Sequence, residues 1–214
     1  MIHNSKFLEN LGKVIVRFPN AELTDVFSKG QLESKKWLVN KILELNLELG
    51  TVFLCAGWYG ILAAFLFEAN VKLKKIRSFD INPECEQIAD TFNKNWEMDH
   101  WKFKASTLDI LSMEYPLTYI THNKQLVSSS LTDMPDTIIN TSCEHIKDFK
   151  IWYEKIPTGT LLVLQSNNFF EIAEHVNCSK SIEDFSRITP MAKVLYQGDL
   201  HLEKYTRFMK IGIK

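Results

Sequence analysis

The sequence has no long apolar run and no excess of charge of either sign. Its longest apolar run, Ile61 to Phe67, is far too short to span a bilayer, so no membrane association is expected. The 25 lysine and arginine residues are matched by 26 aspartate and glutamate residues, which gives a formal net charge of -1. Because binding to a phosphate backbone normally requires an excess of positive charge, this balance disfavours nucleic acid as a partner.

Cysteine is scarce, and no two cysteines form a Cys-x-x-Cys pair. Cys55, Cys85, Cys143 and Cys178 are widely spaced, and each falls in or beside a predicted helix or strand. This pattern favours reduced, buried thiols over disulfides or a zinc site. His175 and Cys178 have His-x-x-Cys spacing, but no further ligands lie nearby in the sequence, so no metal site is predicted.

The N-terminal sequence lacks a long apolar segment behind a basic start and therefore does not resemble a signal peptide. We accordingly expect a soluble, cytoplasmic protein. The sequence also has no internal repeat, no low-complexity segment and no linker rich in proline and glycine. Its 214 residues suit one domain, residues 47–214, preceded by an N-terminal helical extension, residues 1–46.

Helix-type and strand-type patterns alternate along most of the chain. Ser28 and Gln31 have capping-box spacing at the start of one helix, and Asn82 and Pro83 are typical of the first positions of another. The first of these helices is predicted over residues 32–49, and further helices are predicted over residues 58–70 and 146–156. Strands are predicted over residues 51–56, 75–80, 101–106, 136–141, 160–166, 192–198 and 204–213. Repeated strand–helix units predict a Rossmann-like, mostly parallel seven-stranded α/β sheet with helices on both faces.

Two hairpins interrupt this alternation. The last two predicted strands are joined by a loop too short for a crossover, so we expect an antiparallel C-terminal hairpin at the end of the sheet. Between residues 115 and 134, alternating apolar and polar residues flank the turn-like sequence His122-Asn123-Lys124. This pattern predicts a second hairpin, inserted before the strand over residues 136–141.

The stretch TVFLCAGWYG, residues 51–60, indicates a ligand site. A buried strand ends there in a turn containing Gly57 and Gly60, and the next predicted strand ends at Asp80. Ligands of open α/β sheets lie outside the carboxyl ends of the strands, where a glycine turn exposes backbone amides and a carboxylate can bind ribose hydroxyls. The combination predicts a nucleoside site, although such a turn can also serve only to let the strand enter the helix.

The order of elements and this turn resemble the class I S-adenosylmethionine-dependent methyltransferases over about residues 47–214. The turn of that family usually reads acid-x-Gly-x-Gly-x-Gly, whereas this chain has Cys55 at the acidic position and matches only Gly57 in register. The resemblance implies S-adenosylmethionine as cofactor and methyl transfer to a small-molecule acceptor. It implies cofactor contacts at Cys55, Gly57, Trp58, Tyr59, Gly60, Asp80, Ile81, Leu108, Asp109, Asn140 and Thr141. Asp109 stands where the family commonly has an acid for the adenine amino group.

Trp58 and Tyr59 have two possible roles inside the glycine turn. Either ring could present a π face to the cofactor's sulfonium cation. Either could instead pack between a helix and the sheet, as large aromatic side chains usually do. Lys29 and Gln31, one helix ahead of the first strand, could belong to a lid over the cofactor, or could be an exposed side chain and a helix cap.

The predicted catalytic residues, Glu144 and His145, follow the strand over residues 136–141. In the family this position faces the acceptor, and either group could orient or deprotonate it. Glu144 could instead interact with a helix dipole, and His145 could be a capping or packing residue. Neutral side chains over residues 165–170 could contact a polar acceptor or cap the next helix.

Two other functions remain open for the same fold. One is a different use of S-adenosylmethionine, by cleavage or by transfer of its aminocarboxypropyl group. The other is a non-catalytic binding module that uses the hairpin over residues 115–134 to bind a protein.

Overall fold

The computed structural model describes residues 5–122 and 128–214. The strands in these ranges are β1 (Gly50–Cys55), β2 (Leu73–Asp80), β3 (Phe103–Thr107), β4 (Leu117–His122), β5 (Ser128–Asp133), β6 (Thr137–Asn140), β7 (Leu161–Asn167), β8 (Lys193–His201) and β9 (Thr206–Ile213). The helices are α1 (Ser5–Arg17), α2 (Leu23–Val26), α3 (Lys29–Glu44), α4 (Ile61–Glu68), α5 (Pro83–Phe92), α6 (Lys94–Met98), α7 (Phe149–Lys155) and α8 (Ile182–Ile188). Short 3₁₀ turns cover Ile110–Ser112 and Cys143–His145.

Seven strands form one sheet in the order β3-β2-β1-β6-β7-β9-β8. The first five strands of this order pair in parallel, while β9 runs antiparallel to both β7 and β8. The predicted seven-stranded, mostly parallel sheet with an antiparallel C-terminal hairpin is therefore confirmed. The chain order reverses beside β1, whose neighbours are β2 and β6, and such switch points are where open α/β sheets bind ligands.

Alternate residues of β1 enter two core clusters, one on each face of the sheet. Leu54 packs in a cluster with Leu38 of α3 and Leu62 of α4. Phe53 packs in the other cluster, which contains Trp152 of α7. Because both faces are covered, every residue of β1 is buried, and the strand is a continuous apolar run rather than an alternating one.

The helices begin and end at slightly different residues than the sequence predicts. Ser28 is the N-cap residue of α3 as predicted, but its side chain makes no capping hydrogen bond, and Gln31 instead accepts one from Lys35. Helix α4 begins at Ile61 rather than near residue 58, because the turn before it has left-handed backbone, with a φ of 48° at Trp58. Asn82 caps α5 as predicted, since its side chain accepts a hydrogen bond from the Glu84 amide at 3.0 Å.

The predicted inserted hairpin is present as β4 and β5, an antiparallel pair outside the main sheet. The predicted turn residues Asn123 and Lys124 lie outside the described residues. Arg77 of β2 fixes the hairpin to the sheet, since its Nε lies 3.0 Å from the Asp133 Oδ2 and 2.7 Å from the Tyr119 hydroxyl. The hairpin is therefore packed against the domain through a buried ion pair.

The N-terminal helices pack on the domain at two places. The Asn10 side chain of α1 donates a hydrogen bond to the Phe92 carbonyl at 3.1 Å, and Val14 is in the same cluster as Phe92. The apolar face of α3 belongs to the main core. No helix within residues 5–122 and 128–214 has both the length and the apolar character that crossing a membrane requires. All four cysteines are free thiols; Cys55, Cys85 and Cys143 are buried as predicted, whereas Cys178 is only half-buried.

Candidate active site

A cleft of about 1050 Å³ lies at the carboxyl ends of the parallel strands. Its walls come from the turn after β1, the ends of β2 and β3, the 3₁₀ turn after β6, the segment after β7, the start of α3 and the β8–β9 loop. Predicted site residues that line the cleft are Trp58, Asp80, Ile81, Leu108, Asp109, Glu144 and His145. Residues from distant parts of the sequence therefore meet at the edge of the sheet where ligand binding is expected.

The glycine turn is packed tightly against β2. A Cβ atom added at Gly57 would overlap the Oγ of Ser78, so no larger residue fits without rearrangement. Gly60 has a φ of 69°, in the left-handed region that favours glycine, and its carbonyl accepts a hydrogen bond from Asn93 at 3.0 Å. These two glycines allow the backbone of Trp58 to approach the end of β2.

Asp80 joins the turn to the rim of the cleft. Its Oδ2 accepts a hydrogen bond from the Trp58 amide at 2.8 Å, and its Oδ1 accepts one from the Asn82 amide at 3.0 Å. A carboxylate can accept about four hydrogen bonds, so both oxygens of Asp80 retain capacity for ligand hydroxyls.

An apolar wall with an acidic end lies beside Asp80. Ile81 is 69% exposed, and it lines the cleft together with Leu108. The Leu108 amide donates a hydrogen bond to the Asp80 carbonyl at 2.9 Å, which holds the ends of β2 and β3 together. Asp109 accepts a hydrogen bond from the Leu111 amide at 2.9 Å through Oδ1. This arrangement suits a flat apolar ring with a polar edge.

The other predicted cofactor residues lie behind the cleft surface: Cys55, Gly57, Tyr59, Gly60, Asn140 and Thr141. Cys55 is buried at the end of β1, and burial raises the pKa of its thiol well above the ordinary range. Asn140 is also buried, and its side chain accepts a hydrogen bond from the Ser142 amide at 2.8 Å. Their predicted contacts to a cofactor stay predictions.

The two aromatic residues of the turn have different surroundings. Trp58 lines the cleft, whereas Tyr59 is buried with Ile88 and Phe92 beneath the N-terminal helices. Their rings stack with centroids 5.0 Å apart, and the Tyr59 hydroxyl accepts a long hydrogen bond of 3.4 Å from the Glu22 amide. Tyr59 therefore supports the turn from behind and leaves Trp58 as the ring available to a ligand.

Glu144 is a buried, paired carboxylate at the base of the cleft. Its Oε1 accepts a hydrogen bond from Asn167 at 2.6 Å and lies 3.4 Å from Nη2 of the buried Arg207. Arg207 also donates to the Thr141 carbonyl at 2.8 Å. Glu144 precedes no helix closely enough for the predicted alternative of a helix-dipole interaction, since α7 begins only at Phe149.

His145 lines the same cleft, and its surroundings lower the pKa of its side chain. Burial lowers the pKa of its imidazole; the nearby Glu144 charge opposes that shift, while His175 and Arg207 add to it. The neutral ring is therefore favoured near pH 7 and is able to accept a proton. The rings of His145 and His175 lie nearly perpendicular, with centroids 4.6 Å apart.

Several cleft residues had no local signal in the sequence. Arg207 lies on β9 and reaches Glu144 only because β9 pairs antiparallel with β7, with Asn167 opposite Arg207. The ring of Phe169, after β7, stacks on the ring of Tyr205, before β9, with their centroids 5.3 Å apart. Both residues line the cleft. The segment over residues 165–170 thus contributes to the cleft through Asn167 and Phe169. Lys29 and Gln31 line it from the start of α3, and their role as a lid stays a prediction.

The cleft lining is acidic. It contains eight aspartate and glutamate residues but four lysine and arginine residues. Fields from such a lining favour cationic ligands and oppose phosphate groups.

The comparisons with known proteins support the fold. No protein-family model and no curated protein sequence matches the chain significantly. The N-methyltransferase NodS from Bradyrhizobium japonicum WM9, solved with S-adenosyl-L-homocysteine, is 12% identical, with a TM-score of 0.64 over 96% of this chain and 98% of that chain.

Two further solved structures have different acceptors in their names. Magnesium protoporphyrin IX methyltransferase from Synechocystis PCC 6803, with bound S-adenosyl-L-homocysteine, is 11% identical, with a TM-score of 0.57 over 99% of this chain and 95% of that chain. The small RNA methyltransferase HEN1 is 15% identical, with a TM-score of 0.61 over 88% of this chain and 26% of that chain. This chain therefore has the Rossmann-like fold of the class I S-adenosylmethionine-dependent methyltransferases.

Proposed function

We propose that this protein is a methyltransferase that binds S-adenosylmethionine in the cleft and transfers its methyl group to a small, uncharged or cationic acceptor. The observation that carries the proposal is the position of Asp80. It stands at the carboxyl end of β2, next to the switch-point strand β1, between the Gly57 turn and the apolar wall of Ile81 and Leu108. A nucleoside needs a ribose acceptor, an apolar slot for its base and a close backbone turn, and these three features are adjacent.

The residues of the cleft fit each part of this cofactor. Asp80 would accept hydrogen bonds from the ribose hydroxyls, while Ile81 and Leu108 would contact the adenine ring and Asp109 its amino group. The Trp58 ring would lie toward the sulfonium, where a cation–π contact is worth about 0.5 to 2 kcal/mol. The acidic lining also favours a cationic ligand. When bound, the cofactor supplies an electrophilic methyl group.

The acidic lining also argues for the class of acceptor. An acceptor with phosphate groups would meet a surplus of carboxylates, so RNA and nucleotides are disfavoured. Phe169 and Tyr205 offer apolar contact area near the polar groups of Glu144 and His145. A small molecule with a ring or short apolar body and one nucleophilic hydroxyl or amine matches these surroundings.

The predicted catalytic residues would have separate roles. In the transfer, a lone pair of the acceptor forms a bond to the methyl carbon while the carbon–sulfur bond breaks, and the acceptor loses a proton. His145 would take that proton, because burial favours its neutral form. Glu144, which is paired with Arg207 and Asn167, would orient His145 and the acceptor. Correct placement of the acceptor can supply much of the acceleration.

Calorimetric titration with S-adenosylhomocysteine, and with NAD as control, tests cofactor binding. We expect binding of the adenosyl compound and none of NAD; binding of NAD alone would contradict the proposal. Incubation with S-adenosylmethionine and pools of amines and alcohols then tests the reaction. S-adenosylhomocysteine as product supports methyl transfer, whereas methylthioadenosine would indicate cleavage or aminocarboxypropyl transfer. Failure of all adenosyl compounds to bind would instead favour a non-catalytic binding module.

A further inference from the structure

Three potential metal ligands meet at the base of the cleft. Glu144, His145 and His175 each offer one ligand atom, and these atoms all lie within 4.8 Å of one another. All three residues line the cleft, so an ion held by them would be accessible to small molecules. Two imidazoles and a carboxylate are a common ligand set for divalent transition metals.

One oxygen of Glu144 lacks a partner. The residue is 1% exposed, and its Oε2 makes no hydrogen bond with any part of the chain that the structure describes. A buried carboxylate oxygen without a partner is costly, and such groups are rare in folded proteins. The Asn167 and Arg207 contacts are both made through Oε1, so Oε2 remains available to a cation.

The His175 ring is oriented as metal-binding histidines usually are. Its Nδ1 lies 2.7 Å from the Phe169 carbonyl oxygen. A carbonyl can only accept a hydrogen bond, so Nδ1 carries the proton and the lone pair of the neutral ring is on Nε2. A hydrogen bond of this kind fixes the tautomer and orientation of an imidazole that coordinates a metal.

The two segments that carry the ligands are also tied together. The Asn177 amide donates a hydrogen bond to the Glu144 carbonyl at 2.8 Å, and its side chain donates one to the Cys143 carbonyl at 3.1 Å. Asn167 in addition holds the Glu144 carboxylate at 2.6 Å. The loop with His175 is therefore fixed to the turn with Glu144 and His145 before any ion binds, which lowers the entropy cost of binding.

We propose that Glu144, His145 and His175 bind a divalent transition-metal ion such as Zn²⁺, Mn²⁺ or Co²⁺. The remaining coordination positions face the cleft and would be filled by water or by an oxygen or nitrogen of the acceptor. Coordination of the acceptor depends on the proposed methyl transfer, whereas metal binding itself does not. With an ion bound, the lone pair of the His145 ring would be on the metal, so His145 would take the acceptor's proton only in the ion-free protein. The sequence alone predicts no such site, because no further ligand lies near His175 and Cys178, and Glu144 and His145 are about 30 residues upstream.

Titration of the full chain with Co²⁺ tests this site directly. Purified protein, first treated with a chelator, should develop visible cobalt absorption that saturates at about one ion per chain and disappears when Zn²⁺ is added. His175→Ala should weaken Co²⁺ binding at least tenfold, and Glu144→Gln should do the same. His201→Ala is the matched control, because His201 lines the same cleft but lies outside the cluster and is 80% exposed. Its Co²⁺ affinity should equal that of the wild type.

Circular dichroism and melting curves of each variant show whether it folds. If Glu144→Gln does not fold because Arg207 loses its partner, His175→Ala decides the test. Wild-type protein that binds no Co²⁺, or that loses as much affinity in His201→Ala as in His175→Ala, would overturn the proposed metal site. The titration contains no adenosyl compound. Co²⁺ binding without S-adenosylhomocysteine binding would therefore support this site and contradict only the proposed function, and the opposite result would contradict only the metal site.

Discussion

The carboxylate of Asp80 accepts the backbone amide of Trp58 at 2.8 Å, so the acid that ends β2 also supports the glycine turn after β1. Asp80→Ala removes both this bond and the predicted acceptor for ribose hydroxyls. We expect S-adenosylhomocysteine affinity to fall about ten- to a hundredfold, the loss of roughly 1.5 to 3 kcal/mol that charge-assisted hydrogen bonds contribute. Isothermal titration calorimetry measures this change.

Asn82→Ala is the control for the neighbouring helix start. Asn82 caps α5 through the Glu84 amide, so its removal should lower the free energy of unfolding by about 1 kcal/mol. It should leave ligand affinity unchanged. If Asp80→Ala behaves like Asn82→Ala, with lower stability and full affinity, Asp80 is structural and the ribose contact is wrong.

Gly57→Ala tests how closely the turn must approach β2. The added methyl group would overlap the Oγ of Ser78, so either the turn or the strand must move. Overpacking of this kind costs about 1 to 3 kcal/mol of stability, and we expect weaker S-adenosylhomocysteine binding with it because the turn shifts. Urea denaturation and calorimetry on the same sample measure both changes.

The double variant Gly57→Ala/Ser78→Ala identifies the cause. With the Ser78 hydroxyl removed, the closest atoms to the new methyl group are those of Leu54, at 3.2 Å and beyond, which requires only small adjustments. Most of the stability that Gly57→Ala loses should return in the double variant. Ser78→Ala alone completes the double-mutant cycle and is its reference. No recovery would mean that the close contacts with Leu54, rather than the contact with Ser78, demand glycine.

The inserted hairpin provides a test of stability apart from the cleft. Asp133→Ala would leave the Arg77 guanidinium buried without its carboxylate, and loss of one partner of a buried pair costs about 3 to 5 kcal/mol. Thr132→Ala, at an exposed position of the same strand, should change stability by less than about 1 kcal/mol. Denaturant midpoints compare the stabilities of the two variants. If both variants lose a similar, small amount of stability, the hairpin is held by something other than the Arg77–Asp133 pair.

Features with local causes could be predicted from the sequence. The run of β1 is apolar because both faces of the strand are buried, and Asn82-Pro83 starts a helix through a side-chain cap and a fixed φ. The short loop between the last strands requires an antiparallel pair. Each signal lies within a few residues of the structure that it specifies, so one sequence is enough to read it.

The base of the cleft could not be predicted in the same way. Arg207 reaches Glu144 through the pairing of β7 with β9, and His175 reaches His145 through hydrogen bonds of Asn177. These contacts join residues that are far apart in the sequence, and neither partner has a motif around it. The separate surroundings of Trp58 and Tyr59 also depend on the N-terminal helices: Tyr59 is buried in the cluster with Val14 and Val26, whereas Trp58 only packs against that cluster and stays partly exposed.

Lys35 of α3 is a buried cation with few partners. It is 7% exposed and donates a hydrogen bond to the Gln31 side chain. Burial lowers the pKa of Lys35 to about 7, with the charge of Arg207 acting in the same direction and that of Asp25 opposing it. A lysine in the unfolded chain has a pKa of about 10.4.

This shift predicts a pH dependence of stability. Between the two pKa values the unfolded chain holds a proton that the folded chain has released, so stability increases with pH above about 7. The gain should be about 1.5 kcal/mol between pH 7 and 8.5, because the slope rises from half of roughly 1.4 kcal/mol per pH unit at the folded pKa to nearly all of it. Lys35→Met should be more stable than the wild type at pH 7, and this advantage should shrink by that amount at pH 8.5. Urea denaturation measures the stability of both proteins, and the difference between them is compared at the two pH values. The buried cysteines, which titrate in the unfolded chain at higher pH, affect both proteins equally and cancel in this difference. A constant difference across this range would mean that Lys35 keeps an ordinary pKa in the folded protein.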